Sequence, residues 1–322
     1  MENIIKVLVT GASGQIGRRL VRKLMSQGSE VYTLSTENYF ENEPSVKFIK
    51  KNRGEPIIEK LPKVDLIFHL ASQTSAYIAR ESVARDIETN LIDSVHFIEK
   101  LPNQSQPPAV IYAGSMTAYG MGRVESIDEK VEIDPQTFYD VSKLATQLYL
   151  EQYVREGLIK SCVTLRLANI YGDNEKTQSK DRGFVDRSIW NAIEGKELSM
   201  YGDGNYLRDY LHIDDAVEAF NCAGKITNED KIKVFNVGTG KGTVLRSALE
   251  QIVEGANALT GKKSRLVSVE FPTAAYNIEK RNSVADASLF RNLTGWSPKI
   301  DFSKGIKDGI AKTHALIDQK SN

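Results

Sequence analysis

"IIKVLVTGASGQIGRRLVRKLMSQG", residues 4–28, holds two hydrophobic periods separated by a single glycine-rich turn. Residues 4–11 are a continuous apolar, β-branched run ending in glycine, the pattern of a strand buried on both faces. From residue 15 the period changes, with Ile16, Leu20 and Leu24 at helical spacing. Between the two runs stand Gly11, Gly14 and Gly17. Gly11 permits the tight turn, Gly14 lets backbone approach a pyrophosphate, and Gly17 allows the helix to pack closely on the strand. The helix N-terminus that follows favours phosphate charge. A glycine-rich turn can be no more than a turn, but the strand–loop–helix context that a dinucleotide loop requires is present here.

The same alternation continues outward. "EVYTLS" (30–35), "VKFI" (46–49), "DLIFHLAS" (65–72) and "AVIYAGS" (109–115) read as strands, with a helix around Asn90. A long helix is expected over 139–156 and a strand over 162–172, followed by a polar surface loop (173–183) and a helix over 184–196. "RDYLHIDDAVEAF" (208–220) and "KVFNVGTG" (233–240) add core helix and strand, whereas 241–322 is expected to be irregular with scattered short elements. These readings give an α/β chain with a Rossmann-type, doubly wound parallel sheet and a smaller, mostly C-terminal substrate-binding domain. The expected division is a dinucleotide-binding domain from 1–173 and 209–240, and a cap from 174–208 and 241–322, with ligand between them.

Composition narrows the partners. Among 322 residues, 42 Lys and Arg balance 42 Asp and Glu, so no field of one sign draws the chain to nucleic acid or to anionic lipid. A small molecule is the expected ligand. Cys162 and Cys222 lack Cys-x-x-Cys spacing, which suggests neither a zinc site nor a disulfide framework, and no metal is expected. His69 and His212 lie in apolar stretches and are expected to be packed and hydrogen-bonded rather than ligating. The start "MENIIKVLVTGASG" has no basic leader and no signal-peptide apolar stretch, and no apolar run reaches membrane-spanning length. A cytoplasmic protein is the expectation.

Two features concern chemistry. Ser35 and Thr36 stand at the end of the second strand, where an acidic residue usually holds the adenosine ribose hydroxyls. Without that carboxylate a ribose 2′-phosphate meets less repulsion, yet no arginine lies within five residues to attract one. NAD and NADP both remain open on this reading. Further on, Tyr139 and Lys143 share a helix face at i, i+4 spacing, with Ser115 upstream. An ammonium near a phenol favours phenolate, so Tyr139 can exchange a proton with a substrate hydroxyl while Ser115 hydrogen-bonds the same oxygen.

With these residues in place the chain resembles the extended short-chain dehydrogenase/reductase family, in particular its nucleotide-sugar epimerases and dehydratases. The resemblance runs through "TGASGQIG" (10–17), "FHLAS" (68–72), Asn90, "GSMTAYG" (114–120), "YDVSK" (139–143), "RLANIYG" (166–172), "MYGDGNYLRDYLHIDDAVEA" (200–219), "FNVGTG" (235–240) and "TGWSPK" (294–299). It implies Tyr139 as acid/base, Lys143 on the nicotinamide ribose and Ser115 on the reacting sugar oxygen. It implies a dinucleotide held by Gly11, Ser13, Gly14, Gln15, Ile16, Gly17, Ser35, Leu70, Ala71, Ser72, Asn90, Ala113, Tyr139 and Lys143. For a nucleotide-diphosphate sugar it implies Ser115, Met116, Thr117, Tyr139, Asn169, Met200, Tyr201, Arg208 and Glu279, with Asn169 and Arg208 on the diphosphate and Met200 and Tyr201 along the base. The alternative for Arg208 is a surface salt bridge with Asp209. A homodimer built on the Asn90 and Tyr139 helices is also implied; Leu144 and Leu148 share a stripe of the latter, which could equally face the protein's own core.

The chain departs from the family pattern in three places. Asn52 stands where an aspartate near the adenine is usual, and Tyr276 and Glu279 are the nearest matches to the arginine and acid of the diphosphate pocket. Family dehydratases follow the serine or threonine with an Asp-Glu pair, whereas Met116 and Thr117 follow Ser115 here. Elimination needs a base for a carbon-bound proton and an acid for the departing hydroxyl, and neither residue can serve. Hydride chemistry at a secondary alcohol asks only for Ser115, Tyr139, Lys143 and cofactor. The expected activity is an NAD(P)-dependent epimerase of a nucleotide-activated sugar at C4, through a 4-keto intermediate. An NADPH-dependent 4-ketoreductase of a nucleotide deoxysugar is the alternative, and a non-catalytic dinucleotide sensor ranks below both because it has no use for the Tyr139–Lys143 spacing.

Overall fold

Strand β1 (Lys6–Thr10) and helix α1 (Gln15–Ser26) realise the opening pattern of the sequence. Val7, Leu8 and Val9 are buried on both faces of β1, while α1 buries Leu20, Val21 and Leu24 and leaves its charged side outward. Burying each such side chain contributes roughly 1.5–3 kcal/mol, which is what selects this register of helix on strand. The computed structural model describes residues 5–121, 126–172, 183–227, 231–271 and 277–321; the expected loop at 173–183 lies outside them but for Gly183.

After α1 come β2 (Glu30–Ser35), β3 (Val46–Lys50) and β4 (Leu66–His69). Helices α2 (Ala76–Glu81), α3 (Val83–Ile87) and α4 (Asp93–Glu99) follow, the last two joined by a π-helical turn, Glu88–Ile92. Next are β5 (Ala109–Ser115), α5 (Phe138–Arg155), β6 (Ser161–Leu167), β7 (Asn169–Tyr171), α6 (Phe184–Ile193), β8 (Leu198–Tyr201), β9 (Leu207–His212), α7 (Ile213–Gly224) and β10 (Ile232–Val237). The chain ends with β11 (Gly242–Val244), α8 (Leu245–Thr260), β12 (Leu266–Val269), α9 (Ser288–Thr294) and α10 (Phe302–Ser321).

Seven strands form one parallel sheet in the order β10-β6-β5-β4-β1-β2-β3. β1 pairs with β2 on one side (Val7↔Val31) and with β4 on the other (Val7↔Leu66). The strand order therefore reverses at β1, and the crevice beyond the carboxyl ends of β1 and β4 is where such sheets bind ligands. One core covers one face with Val7, Val9, Leu20, Phe68, Ile111 and Phe220; the other holds Leu8, Ile67, Val110, Tyr112, Leu150 and Val154.

The strand expected over 162–172 is split. β6 stays in the sheet, but after Ala168, whose N–H donates to the Val237 carbonyl, the chain leaves it and β7 pairs with β9. The three-stranded sheet β11-β9-β7 and the parallel pair β8-β12 lie with α6, α8 and α10 around a third core that includes Ile189, Ile193, Leu249, Ile252 and Ile310.

The expectation of irregular structure from 241 onward is wrong: α8 has 16 residues and α10 has 20. Helix α8 begins straight after a strand without a side-chain cap, and α10 carries glycines that read as breakers. Gly305 is needed there, since a Cβ would lie 2.2 Å from the Tyr171 hydroxyl. Phe290 and Trp296 pack into the large core with Phe235. Among the described residues no helix is long and apolar enough to cross a membrane.

Candidate active site

The phosphate end of the cleft is built from backbone. Gly11 has φ +67° and donates to the Leu34 carbonyl at 2.9 Å, and a Cβ on it would lie 2.7 Å from the Ala71 nitrogen. A Cβ on Gly17 would lie 2.3 Å from the Gly11 carbonyl oxygen. Gly14 is the N-cap of α1, extended and without a side-chain cap, so the first-turn N–H groups keep their positive end for an anion. Gly11, Ser13, Gly14, Ser35, Leu70, Ala71 and Ser72 line one cleft. Gln15 and Ile16 open α1 half-buried beside it, and Ala113 is half-buried near the end of β5. This cradle fits a dinucleotide pyrophosphate.

At the ribose end, Ser35 is buried and its hydroxyl donates to the Glu37 carbonyl at 2.8 Å. Thr36, Lys51 and Arg53 line the same cleft. Parallel pairing of β2 with β3 (Ser35↔Lys50) brings the two cations there, a proximity that a five-residue window around Ser35 misses. Lys51 is paired with Asp93 at 3.0 Å. Asn52 donates to Glu55 at 2.7 Å.

The ends of β1 and β4 are locked by a buried relay around His69, which is packed and hydrogen-bonded as the sequence suggests. The Ser94 hydroxyl donates to the Asn90 carbonyl (2.7 Å), so it must accept from His69 Nε2–H (2.8 Å). The Thr10 hydroxyl accepts N–H bonds from Leu70 and Ala71 (3.1 Å each) and therefore donates to His69 Nδ1 (2.8 Å). Burial pushes the His69 pKa down to about 3, with the Lys143 charge adding to the effect, and the ring is neutral as the relay requires. His212 caps α7, accepting the Asp214 N–H at 3.2 Å.

Ser115 ends β5, and Tyr139 and Lys143 enter from α5, whose start is fixed by a Thr137–Asp140 capping box. The Ser115 hydroxyl lies 2.9 Å from Thr117 Oγ1 and accepts the Thr117 N–H at 3.2 Å. Burial raises the Tyr139 pKa to about 12, opposed by the nearby Ser115 hydroxyl. Burial lowers Lys143 to about 7, opposed by Asp86. The ammonium donates to Ser72 Oγ at 3.2 Å and sits 4.4 Å from the Tyr112 ring centroid, a cation–π contact. In the free protein the ammonium thus addresses Ser72 and Tyr112, and desolvation dominates the phenol.

Of the residues assigned to a sugar nucleotide, Met116 and Met200 need correction. Met116 is 4% exposed and packs with Tyr119, Ile127 and Ala285. Met200 is 2% exposed in the third core, because β8 alternates and only Ser199 and Tyr201 face outward. Tyr201 stacks near Phe271 with centroids 5.5 Å apart. Asn169 donates to the Asp209 carbonyl at 3.1 Å.

Arg208 is buried and donates to the carbonyls of Leu207 (3.2 Å), Glu279 (2.7 Å) and Arg281, tying β9 to the Asn277–Lys280 turn. The alternative salt bridge with Asp209 is not formed, since that carboxylate is taken up by Thr239, Gly240 and Ala285. Tyr276 lies outside the described residues. Arg281, whose charge reaches both Arg208 and Tyr139, was missed because it lies five positions beyond the arginine sought. Asp86 and Gln73, buried beside Asn90, carried no sequence signal at all. Among the described residues no group of three His, Cys, Asp or Glu could hold a metal ion.

Comparison with known proteins agrees with this geometry. The sequence model of the NAD dependent epimerase/dehydratase family matches residues 7–238. A UDP-glucose 4-epimerase of Mycolicibacterium smegmatis is 28% identical, over 98% of this chain and 100% of that one. The crystal structure of a Thermotoga maritima UDP-glucose 4-epimerase with UDP-glucose superposes with TM-score 0.84 at 27% identity, covering 97% of this chain and all of the other. A Thermus thermophilus UDP-glucose 4-epimerase in complex with NAD shares the fold, with TM-score 0.78 at 24% identity, covering 96% and 99%. The chain belongs to the NAD dependent epimerase/dehydratase family, and its glycine cradle fits such a dinucleotide.

Proposed function

We propose that the chain is an epimerase of a nucleotide-diphosphate sugar, acting at C4 by oxidation to a 4-keto sugar, rotation of that sugar and reduction from the other face. The observation that carries this reading is the step after Ser115: Met116 is turned into an apolar cluster and Thr117 bonds the Ser115 hydroxyl, so neither of these two positions supplies a carboxylate for an elimination. NAD held in the glycine cradle would supply a reversible hydride acceptor for C4 and a positive charge near the phenol. Tyr139 takes the 4-hydroxyl proton and gives it back, Ser115 holds that oxygen, and Lys143 orients the nicotinamide ribose and adds positive charge.

Residues 1–173 and 209–240 hold the dinucleotide on this reading, and 174–208 with 241–322 hold the sugar nucleotide, Arg208 meeting the diphosphate. The protein works in the cytoplasm, which suits two free thiols, one of them, Cys162, held protonated by burial. It pairs with a second copy through α5 and the Asn90 helix, since Phe138, Val141, Leu148, Tyr149, Ile87 and Ile92 are exposed there, Leu148 at 52% rather than in its own core. A strictly monomeric mass at micromolar concentration would contradict the pairing.

A second reading, a 4-ketoreductase, is favoured by Ser35 with Arg53, which tolerate exchange of an NADP cofactor. Denaturing freshly purified protein and assaying the supernatant separates the two. Near-stoichiometric NAD supports the epimerase; an empty site with NADPH-dependent reduction of a 4-keto sugar overturns it. Tyr139→Phe is expected to cut turnover about 10²–10⁴-fold with little change in sugar-nucleotide affinity.

A further inference from the structure

Lys143 is 5% exposed, and a buried ammonium needs an anion within reach. Among the described residues the groups facing it are the Ser72 hydroxyl, the Tyr112 ring from β5 and neutral His69 from β4, and the carboxylate that acts on its charge is Asp86 of α3. Asp86 is 2% exposed. Its Oδ1 accepts from Gln73 Nε2 (2.8 Å) and Asn90 Nδ2 (3.0 Å), and its Oδ2 is buried without a hydrogen-bond partner.

A carboxylate only accepts, so it turns both amide NH₂ groups toward itself. The Asn90 carbonyl oxygen must then face the other way, where it receives the Ser72 hydroxyl (2.9 Å) and the Gln73 N–H (2.8 Å). The Asn90 NH₂ also reaches Ser142 Oγ (3.0 Å), whose hydroxyl donates to the Tyr139 carbonyl (3.1 Å). The buried carboxylate thus orients the Asn90 amide, whose carbonyl oxygen is presented to Ser72, the group that receives the lysine; the Ser72 proton also has the Gln73 carbonyl at 2.8 Å as an acceptor.

We propose that Asp86 is a positioning residue of the active site, a buried counter-ion that orients the Asn90–Ser72 relay and holds Lys143 in its charged form. This rests on the role given to Lys143 in the proposed reaction, but its first test does not use turnover. The titration of Lys143 is read from its rate of acylation by acetic anhydride against pH, measured by mass spectrometry on the purified full-length protein. Removing a nearby opposite charge moves a pKa by about one unit or more. Asp86→Asn is therefore expected to lower the Lys143 titration by about one pH unit, and Asp86→Ser carries the same test where the amide variant does not fold. Asp86→Glu, which keeps the charge, restores the parent titration. Ser142→Ala removes a hydrogen bond from the relay but no charge, and leaves it unmoved.

In turnover, the alkaline limb of kcat moves down with the lysine while KM for the sugar nucleotide stays put. A merely structural carboxylate would lower the melting temperature and kcat at every pH without moving the limb. Folded Asp86→Asn or Asp86→Ser protein with an unmoved Lys143 titration overturns the proposal, as does an equal shift in Ser142→Ala. A parent protein inactive on every sugar nucleotide sinks the epimerase reading and leaves the lysine titration standing.

Discussion

The two ends of the ligand cleft are made from different material. At the dinucleotide end, Gly11, Gly14 and Gly17 act through backbone, and their positions are fixed by strand and helix within one contiguous stretch. At the end proposed for the sugar nucleotide, the Arg208 side chain is held by carbonyls from β9 and from residues 279 and 281, the latter two more than seventy positions away. A backbone site needs local conformation alone. A side-chain site needs distant segments to arrive first, so the same chain carries one end legibly and hides the other.

Gly17→Ala should break the first end most severely. The added Cβ would press on the Gly11 carbonyl from 2.3 Å, and backbone cannot swing away as a side chain tip can. Overpacking of this kind costs about 1–3 kcal/mol, and the displaced loop should lose most of its NAD while sugar-nucleotide affinity survives. Thermal unfolding and NAD content of the purified variant check both halves; retained NAD would dissolve the contrast.

Arg208→Lys is the converse. Lysine keeps a charge but gives up the fork that meets three carbonyls, so the turn at 277–281 loosens and a diphosphate loses its bidentate partner. Losing hydrogen bonds to a charged group amounts to about 1.5–3 kcal/mol, or roughly 10–100-fold in affinity for UDP-type ligands, with NAD binding unchanged. Calorimetry with each ligand in turn sharpens or removes the distinction.

The His69 relay predicts a pH dependence seated at the dinucleotide end. The folded pKa, about 3, lies below the ordinary 6.5, so the unfolded chain binds a proton that the fold excludes. The stability contribution is complete above the unfolded value and is lost as pH falls from 6.5 toward about 3, at up to about 1.4 kcal/mol per pH unit. His69→Gln should flatten that slope in a denaturant series between pH 6.5 and 4; an unchanged slope would place the acid sensitivity elsewhere.

Ser35→Asp is the mildest of the four. A carboxylate at the end of β2 repels a 2′-phosphate and accepts ribose hydroxyls, so NADP affinity should fall several-fold while NAD affinity holds or rises. Arg53→Ala should weaken NADP in the same direction. Fluorescence titration of the stripped protein with NADH and NADPH reads both variants.

Where a residue's role depends on periodicity, the sequence was enough. The strand at 109–115 and the helix at 184–193 lie where their hydrophobic patterns put them, and Ser115, Tyr139 and Lys143 stand on the strand end and the helix expected to hold them. Periodicity failed in α10, where Gly305 reads as a breaker although it is the contact that lets the helix sit on Tyr171. The family resemblance, not periodicity, assigned Met116 and Met200 to the ligand, and their side chains turn into apolar clusters instead.

By itself the sequence determined the parallel sheet, the glycine cradle and the chemical groups of the site, because each of these follows from neighbours along the chain: side-chain period, turn conformation, a helix start. Only the tertiary structure decided that Arg53 stands beside Ser35, that Asp86 faces Asn90 and Lys143, that Arg208 is stapled to the 277–281 turn rather than to Asp209, and that Lys143 and Tyr139 are pulled in opposite directions by burial. Charge, desolvation and hydrogen-bond direction depend on distances through space, and the chain expresses those distances only once it has closed on itself.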